Sequence, residues 1–494
     1  MNMGTIRRMA ALLCIGTLCL LLSAGCARED DPLNPKQPVT LTIWHYYSGP
    51  QKIAFDNAVQ EFNETVGYER GVIIEAVTKN GVNQLADEVI ASARGEFGSS
   101  VLPDIFGCYG DSAYVLYRMG LLVALDGYVA EAELAEYVPA FVAEGRLGTQ
   151  QLYIFPTAKS TESIFLNKTD FDAFIEAIAQ EPHNVTIGYD DLKTWEGIKH
   201  VGILYNHYTD SLTPETPGDG RAFFGVDTVA NFLNVGARQL GGTIARVENG
   251  VLVPGLDRAI MRRLYDVYYG GTVEGAFAKV GSYASEDIKT GDTIGMLAST
   301  TGAKYFPAEV TPADGAQYEV ELLVLPMSVL EGEKAVAVSQ GAGMAVIKSA
   351  PEKEYAAVLF LRWFTEAERN IEFSLESGYL PVKREALQGE AIHQALQSLG
   401  TDRAMRGTVA ALEVGMTQME HYELCYSEVF SGSFAYRRVL EDSLPDFAGE
   451  AQAQIAEGLQ RGEYLAPLVS AAYGDDIFES WLDGLEAELA EAVK

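Results

Sequence analysis

Val39-Thr40-Leu41-Thr42-Ile43-Trp44 alternates apolar residues with threonines, the pattern of a β-strand with one face in a core. The turn residues Ser48-Gly49-Pro50 follow it, and residues 52–63 then set Ile53, Phe55, Ala58, Val59 and Phe62 on one helical face. The unit repeats. A strand pattern at residues 71–77 precedes a helix pattern at 83–94, and Pro103-Asp104-Ile105-Phe106 precedes another at 114–119. Strand and helix alternating at this spacing predict βαβ units, an α/β fold and a mainly parallel sheet. Ligands of such sheets gather beyond the carboxyl ends of the strands. The first strand therefore delivers His45-Tyr46-Tyr47-Ser48-Gly49 to a ligand crevice, and the third delivers Gly107-Cys108-Tyr109-Gly110-Asp111. Both loops are at once small, polar and aromatic, which suits a polar, partly apolar solute.

Upstream of this repeat, Arg7 and Arg8 precede a stretch, residues 9–22, without one charged side chain, and Ser23-Ala24-Gly25-Cys26 ends it. That is the layout of a secretory signal peptide, too short and wrongly flanked for a membrane span. With Cys26 after small residues it resembles a bacterial lipobox, although the leucine stands at Leu22, one place earlier than is commonest. The resemblance implies a signal peptide at residues 1–25, a diacylated Cys26 and a polar tether over 26–37. No later apolar run is long enough to cross a bilayer. The membrane partner would therefore be reached through lipid, and two acyl chains hold firmly where one does not.

A chain of 494 residues is long enough for two large lobes with separate cores. Its 48% apolar and 21% charged residues are those of a globular protein. A net charge of −33 argues against nucleic acid and against an anionic membrane surface as partners. Cys14 and Cys19 leave with the signal. Cys108 and Cys425 could form one disulfide in an oxidising compartment, but nothing in the sequence brings them together, and they read first as unpaired small hydrophobes. The histidines His45, His183, His200, His207, His393 and His421 show no metal-ligand spacing. Nucleophile-elbow, zinc-helix and phosphate-loop motifs are absent from the sequence. Gly341-Ala342-Gly343 has no third glycine and reads as a tight turn or a close backbone approach. The sequence thus offers no catalytic residue, metal site or cofactor site. Residues 209–221 read as an exposed loop, and helical patterns dominate from residue 350 onward.

Six segments, in this order, carry a family resemblance. They are Leu41-Thr42-Ile43-Trp44-His45, Pro103-Asp104-Ile105-Phe106 and Gly120-Leu121-Leu122-Val123-Ala124-Leu125-Asp126. Next come Phe155-Pro156-Thr157-Ala158-Lys159-Ser160-Thr161 running to Leu166-Asn167-Lys168, Gly295-Met296-Leu297-Ala298-Ser299-Thr300, and Gly378-Tyr379-Leu380-Pro381-Val382. The chain resembles the extracellular solute-binding proteins of ABC importers, in the group that includes the maltose-type sugar binders. The resemblance implies a periplasmic-binding-protein-like fold of two discontinuous lobes, a hinge and a ligand cleft between them. One lobe would comprise residues 38–157 and 336–400, the other residues 158–335 and 401–494. The partners implied are a small solute and the transmembrane permease subunits of the importer, at the cell membrane or in the periplasm.

The resemblance and the strand ends together nominate His45, Tyr46, Tyr47, Tyr109, Asp111, Ser160, Ser299, Thr300, Thr301, Gly341 and Tyr379 as solute-binding residues. Trp44, inside the strand pattern, reads as core, and one of Tyr46 and Tyr47 packs while the other faces the crevice. Asp111 either accepts sugar hydroxyls or caps a helix, and Ser299-Thr300-Thr301 carries the same two readings. Lys159 and Glu162 are alternatives to Ser160, and residues 430–434 are a further aromatic wall. Carbohydrate is the first solute class. A phosphorylated polyol such as glycerol 3-phosphate is the alternative, for which Arg437 and Arg438 are late candidates. Two other classes stay open: a secreted glycosidase, which needs two carboxylates about 5–9.5 Å apart, and a scaffolding lipoprotein with a large apolar patch.

Overall fold

The strand beginning at Val39 runs to His45 and pairs in parallel with Val72–Thr78 on one side and Ile105–Cys108 on the other. These relations come from a computed structural model that describes residues 32–493 except 149, 181–183, 249–250, 254, 314, 401 and 403–404. The signal peptide at 1–25, the lipid site Cys26 and the start of the tether lie outside the described residues. Helices Gly49–Glu64, Val82–Arg94 and Gly110–Arg118 follow the three strands in turn, as the alternation predicts.

The first sheet has five strands, ordered Val72–Thr78, Val39–His45, Ile105–Cys108, Gly343–Val346 and Ile154–Phe155. Leu41, Ile43, Ile105 and Phe155 pack on one side against Phe55, Phe62, Phe360 and Phe364. Trp44, Phe106 and Ile154 pack on the other against Leu85, Val89 and Leu116. Successive strand residues thus feed opposite faces, each covered by helix. Trp44 is core, as read, with the Lys79 ammonium 3.9 Å from its ring centre.

A second sheet is ordered Leu322–Pro326, Glu162–Asn167, Gly295–Ser299 and Phe224–Val226. Ile164 and Leu166 enter a large core with Phe224, Phe232, Leu264, Leu440, Leu444 and Trp481. Phe165, Met296 and Ala298 face the other way, against Ile288 and Ala411. The C-terminal helices Ser433–Gln460 and Asp475–Ala492 complete the larger core, burying Leu440, Leu444, Leu482 and Leu485 in it.

The expectation of a mainly parallel sheet holds for the first three strands and for Gly295–Ser299 beside Phe224–Val226, and fails for the remaining pairs of the two sheets. Gly343–Val346 runs antiparallel to both its neighbours, and Glu162–Asn167 is antiparallel to both of its own. Each of these strands is entered by chain arriving from the other sheet. Without a covering crossover helix, nothing imposes the parallel direction. Residues 209–221 also differ from the expected loop at their start, since helix Trp195–Ser211 runs into them.

The passages between the sheets lie side by side. Ser160 pairs with Gln340 and Lys159 with Leu380, both antiparallel, while Val336–Val338 pairs in parallel with Glu423–Cys425. Gly341 turns here at φ +90°, and a Cβ would lie 2.8 Å from the Ala158 carbonyl oxygen. Gly341→Ala should therefore destabilise the protein by about 1–2 kcal/mol from backbone conformation alone. Urea unfolding of the variant checks this, and an unchanged midpoint would mean that the turn relaxes without cost.

Candidate functional site

Between the two sheets lies a narrow cavity of about 40 Å³. Tyr109, Gly110 and Asp111 line it from the end of the third strand and the start of the helix that follows. Glu144 lines it from the same side, Ser339 and Gln340 from a crossover. From the second sheet's side come Asn231, in the first turn of helix Val229–Gln239, then Tyr426 and Ser427, and Arg437 on helix Ser433–Gln460.

The polar groups of this lining are tied to one another. Asn231 Nδ2 donates to Glu162 Oε1 at 2.7 Å and to Gln340 Oε1 at 2.8 Å. Its Oδ1 accepts from Arg437 Nη2 at 3.1 Å, and Arg437 Nη1 donates to Ser427 Oγ at 3.3 Å. Lys159 Nζ bonds Glu144 at 2.7 Å and the Gly341 carbonyl at 2.8 Å, while Ser339 Oγ donates to Glu144 at 2.7 Å. Burial raises the Asp111 carboxyl above its ordinary range, opposed by the positive charges of Arg437 and Arg438. The cavity therefore offers acceptor-only carboxylate, donor-only guanidinium, and amides and hydroxyls that do both.

Asp111 does not cap its helix. The N-cap is Tyr109, and Asp111 lies one residue into the helix, its Oδ1 accepting from the Ser112 N–H at 2.6 Å. Tyr109 and Asp111 are thus the two nominated residues that line the cavity. Tyr46 stands behind them, its hydroxyl 3.1 Å from that of Tyr379 and accepting from the Ala342 N–H at 3.3 Å. Tyr47 is the packing partner of the pair, enclosed by Phe55, Phe373 and Tyr379. Tyr379 stacks on Phe373 and belongs to the first sheet's core.

The other nominated residues do not reach the cavity. His45 packs against Phe55 and Tyr47, and its Nδ1 accepts from the Tyr47 N–H. Burial lowers its pKa to about 4, so it is a neutral core residue instead of a crevice residue. Ser160 is buried in backbone pairing with Gln340, and Gly341 in the turn beside it. Ser299 caps the short helix Thr300–Lys304, the capping reading of that segment. Thr300 bonds the Gly378 carbonyl, and Thr301 packs beside Gly378. In residues 430–434, Phe430 is core and Phe434 lies under the Arg438 guanidinium, on an outer groove. Arg438 itself meets Asp87, across the mouth between the sheets, at 2.9 Å.

Glu144, Asn231, Gln340 and Tyr426 were missed from sequence. Asn231 had a usable signal. Phe224-Gly225-Val226 is a strand leading into a helix, the arrangement that singled out Asp111. The others lie on loops and crossings that no periodicity marks. Cys108 and Cys425 are both free and buried. Among the described residues no group of His, Cys, Asp and Glu is placed to hold a metal ion, and no helix is long and apolar enough to cross a membrane.

The same architecture occurs in solved structures of low sequence identity. A cyclic α-maltosyl-1,6-maltose binding protein from Arthrobacter globiformis superposes with a TM-score of 0.61 at 18% identity, over 92% of this chain and 100% of that one. UgpB from Mycobacterium tuberculosis, in complex with glycerophosphocholine, gives 0.65 at 17%, over 92% and 100%. The maltose/maltodextrin-binding domain MalE from Bdellovibrio bacteriovorus, bound to maltotriose, gives 0.60 at 13%, over 92% and 99%. No curated protein sequence matches the chain. The family model of the bacterial extracellular solute-binding proteins matches residues 57–398, and the chain belongs to that family.

Proposed function

We propose that this protein is the lipid-anchored receptor of an ABC importer and that its solute is a carbohydrate. One observation carries the reading: the cavity between the sheets is walled from both sides by mixed donors and acceptors and by Tyr109 and Tyr426. A sugar hydroxyl donates and accepts, so it matches such a lining, while the tyrosine rings suit its C–H faces. Charge supports the same class. Glu144 is paired with Lys159, and Arg437 opposes the charge of Asp111, so a neutral solute leaves no charge newly unpaired. The structural relatives that bind maltotriose and a cyclic maltosyl-maltose agree in class.

In this reading residues 38–157 and 336–400 form one lobe, and 158–335 and 401–494 the other. The two close on solute by motion at the side-by-side crossings. The receptor docks on permease subunits and carries out no covalent step. Cys26 bears the anchor, and mass spectrometry of the mature N-terminus should find it diacylated; an unmodified N-terminus elsewhere would remove the anchor.

Arg437 favours a second solute class, a phosphodiester such as the glycerophosphocholine held by UgpB, because a guanidinium binds phosphate oxygens in pairs. A thermal-shift series with maltotriose, the cyclic maltosyl-maltose and glycerophosphocholine separates the two. A ligand that binds only the folded chain raises its melting temperature, by about 2.7 kcal/mol of stabilisation at a hundredfold excess over Kd. A shift with a sugar alone supports the carbohydrate reading; a shift with glycerophosphocholine alone overturns it.

A further inference from the structure

Behind the cavity lining is a carboxyl with no evident work. Glu162 is 1% exposed, and its Oε2 has no hydrogen-bond partner. Such an atom is costly, because burial removes the water that would otherwise satisfy it. Its other oxygen accepts from Asn231 Nδ2. That amide is fully committed: Nδ2 serves Glu162 and Gln340, and Oδ1 receives Arg437. Reversing it would turn a donor toward the donor-only guanidinium of Arg437 and an acceptor toward the Glu162 oxygen that now accepts, so Arg437 and Glu162 together select one of its two orientations. Glu162 itself is anchored, since its strand opens the second sheet and its carbonyl accepts from Gln418 Nε2 at 3.0 Å.

We propose that Glu162 is the positioning residue of the solute site, fixing the amide of Asn231 and, through it, the guanidinium of Arg437, in the orientation that meets solute. The inference rests on the interlobe cavity being the solute site, and it concerns a side chain that solute does not touch. The carboxyl performs this role as the neutral acid. Burial raises its pKa to about 8, a rise that the charges of Glu441 and Asp227 reinforce and that Asn231 and Arg437 oppose. The Cys425 thiol, on strand Glu423–Cys425, is itself raised to about 12 by burial and uncharged. Above about pH 8 the acid ionises. A carboxylate there draws Arg437 back from the cavity, so affinity falls as pH rises through that value.

The test uses the mature chain as wild type, Glu162→Gln and Glu162→Ala. Without solute, the side-chain amide signals of Asn231, identified by their loss in Asn231→Asp, are followed by NMR from pH 6 to 10. They should titrate near pH 8 in the wild type and stay unmoved in Glu162→Gln. In Glu162→Ala they should lose their protection from solvent exchange. Calorimetric titration with maltotriose and with glycerophosphocholine should then show Glu162→Ala weakening whichever binds by about tenfold. Glu162→Gln, which keeps a neutral acceptor, should bind like the wild type at pH 7 and lose the decline above pH 8. A protected Asn231 amide in Glu162→Ala overturns the proposal, as does a wild-type pH profile in Glu162→Gln. If neither probe binds the wild type, the solute reading is at fault, and the Asn231 signals still decide this one.

Discussion

Lys159→Met is expected to destabilise the protein by about 3–5 kcal/mol, the cost of leaving a buried ion without its partner. The side chain of Lys159 is 3% exposed and that of Glu144 15%. The ammonium is the link that ties them together, bonding Glu144 at 2.7 Å and the Gly341 carbonyl at 2.8 Å. Methionine keeps the volume and removes the charge, so Glu144 would be held in a largely dry site with only Ser339 to satisfy it. Lys159→Met with Glu144→Gln should recover much of the loss, since no uncompensated charge then stays buried. Urea unfolding of the wild type, both single variants and the double variant measures the coupling. A single variant that loses under 1 kcal/mol would show that water reaches Glu144 and that the pair is effectively a surface one.

Arg437→Ala is expected to weaken solute binding by about 10- to 150-fold, the equivalent of the 1.5–3 kcal/mol carried by a hydrogen bond to a charged group. Its guanidinium is held by Asn231 and Ser427 and faces Asp111 from across the cavity. Arg437→Lys should not restore affinity, because a point charge cannot reproduce the planar fork that Asn231 and Ser427 hold in place. Calorimetry with maltotriose and glycerophosphocholine also ranks the two solute classes. A far larger loss for glycerophosphocholine assigns Arg437 to phosphate, whereas equal losses assign it to hydroxyls. Wild-type affinity for both would remove Arg437 from the site.

Much of this arrangement was legible along the chain. The alternation over residues 39–44 and its repeats placed the first three strands and their helices, because a period of two or of 3.6 is a local property of a half-buried element. Strand-end logic brought Tyr109 and Asp111 to the cavity, since a loop leaving a strand's carboxyl end has one place to go. The same logic misplaced His45, two residues short of the turn, because a strand's last residue can point to either face and here it points at Phe55. Ser299, Thr300 and Thr301 end a strand as well, but the chain closes a helical turn there and uses the Ser299 hydroxyl as its cap.

By itself, then, the sequence determined the class of fold, the order of its first units and one wall of the cavity, all set by interactions within a few residues. Tertiary structure alone decided the opposite wall. Asn231, Gln340 and Arg437 are separated by 109 and 97 residues along the chain yet share one amide's hydrogen bonds. It also decided that Glu162 is dry and that two strands run antiparallel to their neighbours. These outcomes depend on which helices cover which sheet and on how the crossings lie beside one another. Such packing is a property of the whole chain's buried surface, and no window of a few residues carries it.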